Sequence, residues 1–163
     1  MSGAVVTHVT SPEAALEVVE ARHGATVDAP AAAVWPYFDW PNLGRMVGDG
    51  LFVGVRYDDT RAVPGATRVV ELASGACLTE VLEACDATTG RFVYRILDNE
   101  ALPVRDYRGE VVVTALDAGH ARVEFTSRCR LVGIDAAAWR ALYAEMQSGF
   151  LAHIAGQLAT RGR

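Results

Sequence analysis

The sequence predicts an α+β fold in which one curved antiparallel sheet of about seven strands wraps a single long C-terminal helix, with two short helices near the start. Three observations predict it. Segment after segment alternates apolar and polar residues at strand period. Short clusters of turn-forming residues separate these segments at regular intervals. One apolar stripe at helical spacing fills the C-terminal end of the chain.

Met1–Pro12 reads as a loose arm. From Glu17 to Asp28 the chain alternates, with Val19, Ala21, His23, Ala25 and Val27 on one face and Glu20, Arg22, Thr26 and Asp28 on the other. Pro30, after Asp28-Ala29, suits the first turn of a helix. A short helix is expected from about Pro30 to Phe38, kinked or ended by Pro36, and a second over Asp39–Met46. The Gly48-Asp49-Gly50 turn comes next. Strands are then expected at Leu51–Tyr57, Thr67–Leu72, Cys77–Cys85, Arg91–Leu97, Tyr107–Leu116 and Ala121–Val132. The intervening turns are Asp58-Asp59 with Pro64-Gly65, Ala73-Ser74-Gly75, Asp86–Gly90 and Asp117–His120. Asp135 is a good N-cap for a helix running to about Ala159. Its stripe is Trp139, Leu142, Tyr143, Met146, Phe150, His153, Ile154 and Leu158. Residues 1–163 are read as one domain, without repeat, low-complexity tract or linker.

Apolar residues make up 51% and charged residues 21%, the balance of a globular chain that can bury a core. The net charge of −5 and the absence of a Lys/Arg stripe argue against nucleic acid or an anionic membrane as partner. No apolar run is long enough to insert in a bilayer. Met1–Val9 lacks a basic segment followed by a long apolar one, so the expected location is cytoplasmic. Cys77, Cys85 and Cys129 form neither a disulfide framework nor a zinc motif, and His8, His23, His120 and His153 show no ligand spacing. No metal or cofactor is expected. No Ser-His-Asp set occurs at a recognised spacing, and Gly48-Asp49-Gly50 is too short to cradle a phosphate.

Several segments, in this order, resemble the SRPBCC (START-like) superfamily in its polyketide cyclase/dehydrase branch. They are Val27-Asp28-Ala29-Pro30-Ala31 with Val34-Trp35, Pro64–Arg68, Leu78–Leu82 with Asp86, Leu102–Tyr107, and Gly149-Phe150-Leu151. Each is weak alone; their order and spacing are specific, and the resemblance covers roughly Glu17 to Leu158. The resemblance implies the helix-grip fold and an internal cavity for a small hydrophobic molecule. It does not imply one reaction, because members include cyclases, hormone receptors and lipid carriers.

Plant abscisic acid receptors share the middle segments, and in them a glutamate matching Glu80 faces the pocket. That anchor turns Leu78, Glu80, Leu82 and Ala84 inward and Thr79, Val81, Glu83 and Cys85 outward. It also turns inward Arg68, Val70 and Leu72; Phe92, Tyr94 and Ile96; and Tyr107, Gly109, Val111 and Val113. On the last strand Val123, Phe125, Ser127, Cys129 and Leu131 face inward, which composition alone supports, since the alternate residues are Arg122, Glu124, Thr126, Arg128 and Arg130. Ala73–Ala76 and Asn99–Arg105 correspond to the receptors' gate and latch loops. The gate lacks the receptors' Leu-Pro element, which weakens a hormone-switch reading.

Glu80, Tyr107 and Arg68 are the candidate catalytic residues. Glu80 is either a general acid/base or ligand contact, a structural partner of Arg68, or exposed if the register is shifted. Tyr107 either orients a ligand carbonyl or donates a proton, or is a core tyrosine. Arg68 either holds a carboxylate or enolate, or is structural. The candidate ligand-binding residues are Tyr94, Leu72, Phe92, Val111, Phe125, Ser127, Met146, Phe150 and His153. His23 and His153 read more simply as core or edge histidines, and Trp35, Trp40 and Trp139 as core or entrance groups. One functional reading is an enzyme that cyclises or dehydrates a polyketide-like molecule without a cofactor. Another is a carrier or sensor of a lipid, polyketide or hormone-like ligand; a third is an interaction protein whose cavity has collapsed. The partner is a small hydrophobic ligand, and the chain is a monomer or homodimer.

Overall fold

A computed structural model describes residues 16–48 and 52–162 of the chain. The N-terminal arm, and Asp49 and Gly50 of the expected turn, lie outside the described residues.

Strands β1 (Val18–Val27), β2 (Phe52–Tyr57), β3 (Thr67–Leu72), β4 (Cys77–Asp86), β5 (Arg91–Asn99), β6 (Val104–Ala115) and β7 (Ala121–Leu131) form one sheet. The seven strands lie in the order β1-β7-β6-β5-β4-β3-β2, all pairs antiparallel. From β2 to β7 each strand pairs with its sequence neighbour; β1 closes the order by pairing with β7 over its whole length. The long helix α2 (Ala136–Arg161) packs against β1 and β7 on the concave face. Asp135 caps it by accepting from the Ala138 N–H at 2.8 Å.

Between β1 and β2 the chain departs from two ordinary helices. Helix α1 is one turn, Ala31–Val34, and Pro36 holds the adjoining Trp35–Tyr37 as a 3-10 segment. The second expected helix is a 3-10 segment as well, Trp40–Met46. Pro41 opens it and Gly44, a weak helix former, lies within it, so tight turns hold it rather than a propagating α-helix. Trp40, Leu43 and Met46 point into the core from it.

The sheet bends at bulges. In β4, Leu82 pairs with Tyr94 but Ala84 pairs with Val93, so Glu83 is an extra residue. Beyond it the faces exchange. Cys85, expected outward, pairs with inward-facing Phe92, and its thiol donates to Asp39 Oδ1 at 3.4 Å. Ala84, expected inward, shares the outward side of Val93. In β6 a shift between Arg105 and Arg108 includes Asp106 at φ 51°, a left-handed conformation that aspartate tolerates. This break hides the alternation of Val104–Asp106, so β6 begins three residues before the expected Tyr107. At the β4–β5 turn Gly90 has φ 65°, and a Cβ there would collide with the Val113 carbonyl.

The buried line of α2 runs Trp139, Tyr143, Gln147, Leu151, His153 and Ile154. Leu142, Met146, Phe150 and Leu158 flank it, half-buried. Full burial of a side chain such as Ile154 stabilises by about 1.5–3 kcal/mol.

Replacing Asp135 by alanine removes the side-chain cap of α2 and lowers stability by about 1 kcal/mol, read by urea unfolding. The β6–β7 turn gives a second test. A hydrogen bond and attraction to Asp117 raise His120 above the ordinary histidine range, and bonds from the Gly119 N–H and from His120 lower Asp117. The His120 contribution is complete below its unfolded value and is lost as pH rises through the raised folded one. The Asp117 contribution is lost in the opposite direction, as acid brings the pH through its lowered value. An NMR titration of the His120 ring should show the raised midpoint in the wild type and an ordinary one in Asp117→Asn.

Candidate functional site

The register of β3 and β4 places Arg68 directly opposite Glu80 on the concave face. The Arg68 Nε–H donates to Glu80 Oε2 at 2.7 Å, with the two side chains 5% and 7% exposed. Removing two charges from water costs several kcal/mol per ion unless the pair is well satisfied. Here a second guanidinium nitrogen donates to the Trp40 carbonyl at 3.1 Å. The guanidinium carbon also lies 4.3 Å from the Trp40 ring centroid and 5.5 Å from that of Phe92. Trp40 is anchored in turn: its indole N–H donates to the Asp59 carbonyl at 2.9 Å, and its own carbonyl accepts from the Tyr57 hydroxyl at 2.8 Å. The sequence left open whether Arg68 and Glu80 are paired; they are. Glu80 Oε1 receives no hydrogen bond among the described residues.

Two tyrosines stand beside this pair. Tyr94 pairs across the sheet with Gly109, and a Cβ at Gly109 would come within 2.6 Å of the Tyr94 ring and 3.0 Å of Tyr107. Glycine there is what lets both rings lie against the sheet. Their hydroxyl oxygens are 3.4 Å apart, and Tyr94 stacks on Phe92 with centroids 5.1 Å apart. Burial, followed by the negative charge of Glu80, pushes the Tyr94 phenol well up. Burial, followed by Tyr94 itself, does the same to Tyr107, and burial raises Tyr143. All three are protonated hydrogen-bond donors across the physiological range.

Between sheet and helix lie two recesses that share Phe52, Glu80, Tyr94, Gln147 and Phe150 as walls. One, of about 60 Å³, reaches toward Leu43 and Met46. The other, of about 190 Å³, is bounded by Leu78, Ile96 and Leu102. A groove of about 500 Å³ on the outer face of β1, β7 and β6 is open and lined by charged side chains such as Arg122, Glu124 and Arg128. It lacks the enclosed apolar wall that small-molecule sites share. Among the described residues no group of three or more His, Cys, Asp or Glu is placed to hold a metal ion.

Of the residues the sequence singled out, Glu80, Tyr94 and Phe150 line both recesses. Arg68, Phe92, Val111 and Phe125 line the smaller one, and Leu72, Tyr107 and Met146 the larger. Ser127 and His153 line neither. Ser127 is buried under Tyr143, and His153 donates from Nε2 to the Arg45 carbonyl at 2.7 Å, pinning α2 to the second 3-10 segment. His23 contacts Ser148 at the helix surface. Leu102 reaches the larger recess from a loop that the Asn99 amide holds with four hydrogen bonds to its backbone. The sequence reading missed Tyr37, Phe38 and Phe52, and above all Gln147. Its signal was present: Gln147 lies four residues after Tyr143 and four before Leu151, on the buried line itself.

The profile of the family described as "Polyketide cyclase / dehydrase and lipid transport" matches residues 17–161. No curated protein matches this chain in sequence. Among solved structures, an uncharacterized protein of Bacillus thuringiensis superposes with a TM-score of 0.72 at 15% identity, covering 85% of this chain and 98% of that one. The protein XoxI of Bacillus cereus superposes with a TM-score of 0.74 at 15% identity, covering 88% and 98%. These likenesses concern the fold.

Breaking the ion pair from one side leaves an uncompensated buried charge. Arg68→Met should destabilise by about 3–5 kcal/mol, and Arg68→Met with Glu80→Leu should recover most of that loss in urea unfolding. In an alkaline absorbance titration, Tyr94, Tyr107 and Tyr143 should ionise only with unfolding. Because their folded values are raised, their contribution is complete below the ordinary phenol value and fades as pH rises above it.

Proposed function

As the chain belongs to the polyketide cyclase / dehydrase and lipid transport family, we propose that it takes up a small hydrophobic, polyketide-like molecule between sheet and helix and catalyses its cyclisation or dehydration by general acid/base chemistry. The observation that carries this reading is the open Oε1 edge of Glu80 and the protonated Tyr94 and Tyr107, which converge on an otherwise apolar recess. In a dehydration, the Glu80 carboxylate takes the proton on the carbon next to a ligand carbonyl. A tyrosine hydroxyl donates a hydrogen bond to the carbonyl oxygen as charge develops there. The carbon–carbon double bond forms as the β-hydroxyl leaves, and the proton held on Glu80 passes to it, releasing water. Arg68, engaged by Glu80 and the Trp40 carbonyl, supports the carboxylate from behind and does not grip the ligand. In this reading a single domain acts in the cytoplasm, without metal or cofactor, as a monomer or homodimer.

A carrier or sensor is the second reading. It is favoured by the same ion pair, which ties β3, β4 and Trp40 together whether or not chemistry occurs. Native mass spectrometry of the purified protein identifies what it carries. With that molecule in hand, Glu80→Gln should lower turnover by about 10²–10⁴-fold while ligand-induced thermal stabilisation persists. Full activity in the variant removes Glu80 from catalysis; stabilisation without turnover in the wild type establishes the carrier.

A further inference from the structure

Building on the cavity as the ligand site, we infer that it selects neutral molecules that pair a hydrogen-bond donor with an acceptor, and that Gln147 together with Glu80 makes this selection. Gln147 is 5% exposed and projects from α2 into both recesses. Its amide makes no hydrogen bond with any described residue. An amide that faces a recess without a protein partner takes its hydrogen bonds from whatever fills that recess, so a guest displacing water there must match them. Glu80 presents the same kind of vacancy at Oε1, because Oε2 is held by Arg68.

The two vacancies differ in kind. A carboxylate oxygen only accepts, whereas an amide both accepts and donates. A hydroxyl seated between them donates to Glu80 Oε1 and accepts from the Gln147 NH₂. A carbonyl next to it takes its bond from Gln147 or Tyr94. An anion finds no counter-charge. Arg68 is the one cation among the described wall residues, and it is committed to Glu80 and the Trp40 carbonyl with its faces against Trp40 and Phe92. A ligand carboxylate would meet the free edge of Glu80 in a poorly solvated space, where like charges repel strongly. The ligand class is therefore a compact phenol or hydroxy-carbonyl compound, not a free fatty acid or other carboxylate. The recess volumes of about 60 and 190 Å³ favour one or two rings over a long chain.

Fluorescence titration of the full chain with 2-naphthol and with 2-naphthoate at pH 7 tests this directly. The two probes share a ring system and differ in charge. Wild type should bind 2-naphthol at least about tenfold more tightly than 2-naphthoate. Gln147→Leu, which keeps the side chain's size, should weaken 2-naphthol about tenfold, and Glu80→Gln should narrow the gap between the probes. The wild-type comparison needs no variant, so it stands even if Glu80→Gln does not fold. Equal or tighter binding of 2-naphthoate overturns the inference while leaving the cavity as a ligand site, as does a folded Gln147→Leu with unchanged 2-naphthol affinity. Binding of neither probe overturns the inference, and native mass spectrometry of the same protein, with or without a carried molecule, then decides the ligand-site reading separately.

Discussion

Two opposite charges removed from water at Arg68 and Glu80 impose conditions on everything packed around them. The carboxylate must stand across from the guanidinium, which requires the β3–β4 register to be held to the residue. The guanidinium needs a further acceptor and a face to lie on, and the second 3-10 segment provides both through Trp40. Trp40 can do so only because Asp59 and Tyr57 hold it from the β2–β3 side. A poorly helical stretch between β1 and β2 thereby acquires one position and forms one wall of the cavity.

The same pair determines the character of the site. With one carboxylate oxygen committed and the other open, the polar end of an apolar recess is an acceptor. Tyr94 and Tyr107 add donors that burial keeps protonated. The proposed chemistry and the proposed recognition thus draw on the same few groups, which lie on neighbouring strands and on the facing helix. A rigid sheet is a suitable support for groups whose spacing matters.

How much of this was legible in the sequence depended on how regular each element is. Strand β7 alternates without a break, and its inward set of Val123, Phe125, Ser127, Cys129 and Leu131 is fully buried. Strand β4 was legible as far as Leu82 and failed at Glu83, because a bulge is one extra residue that alternation cannot signal. The start of β6 was hidden in the same way by Asp106. The segment after α1 carries apolar residues at helix-like intervals, but Pro36, Pro41 and Gly44 decide its backbone in favour of 3-10 turns. Gln147 was passed over because a stripe read by hydrophobicity skips a polar residue at its centre. His153 was included for the opposite reason: its position is on the stripe, but its partner, the Arg45 carbonyl, is remote in sequence.

Gly109 has an evolutionary consequence. The depth of the recess at its polar end depends on a missing methyl group under Tyr94 and Tyr107, at a position that takes no part in the ion pair. A Cβ there would meet both rings, so a larger residue displaces them from the sheet and alters the space beside Glu80. Under the proposed function, the space offered to a guest is therefore tuned by one backbone position outside the ion pair, where a lineage carrying this scaffold can change it by a single substitution.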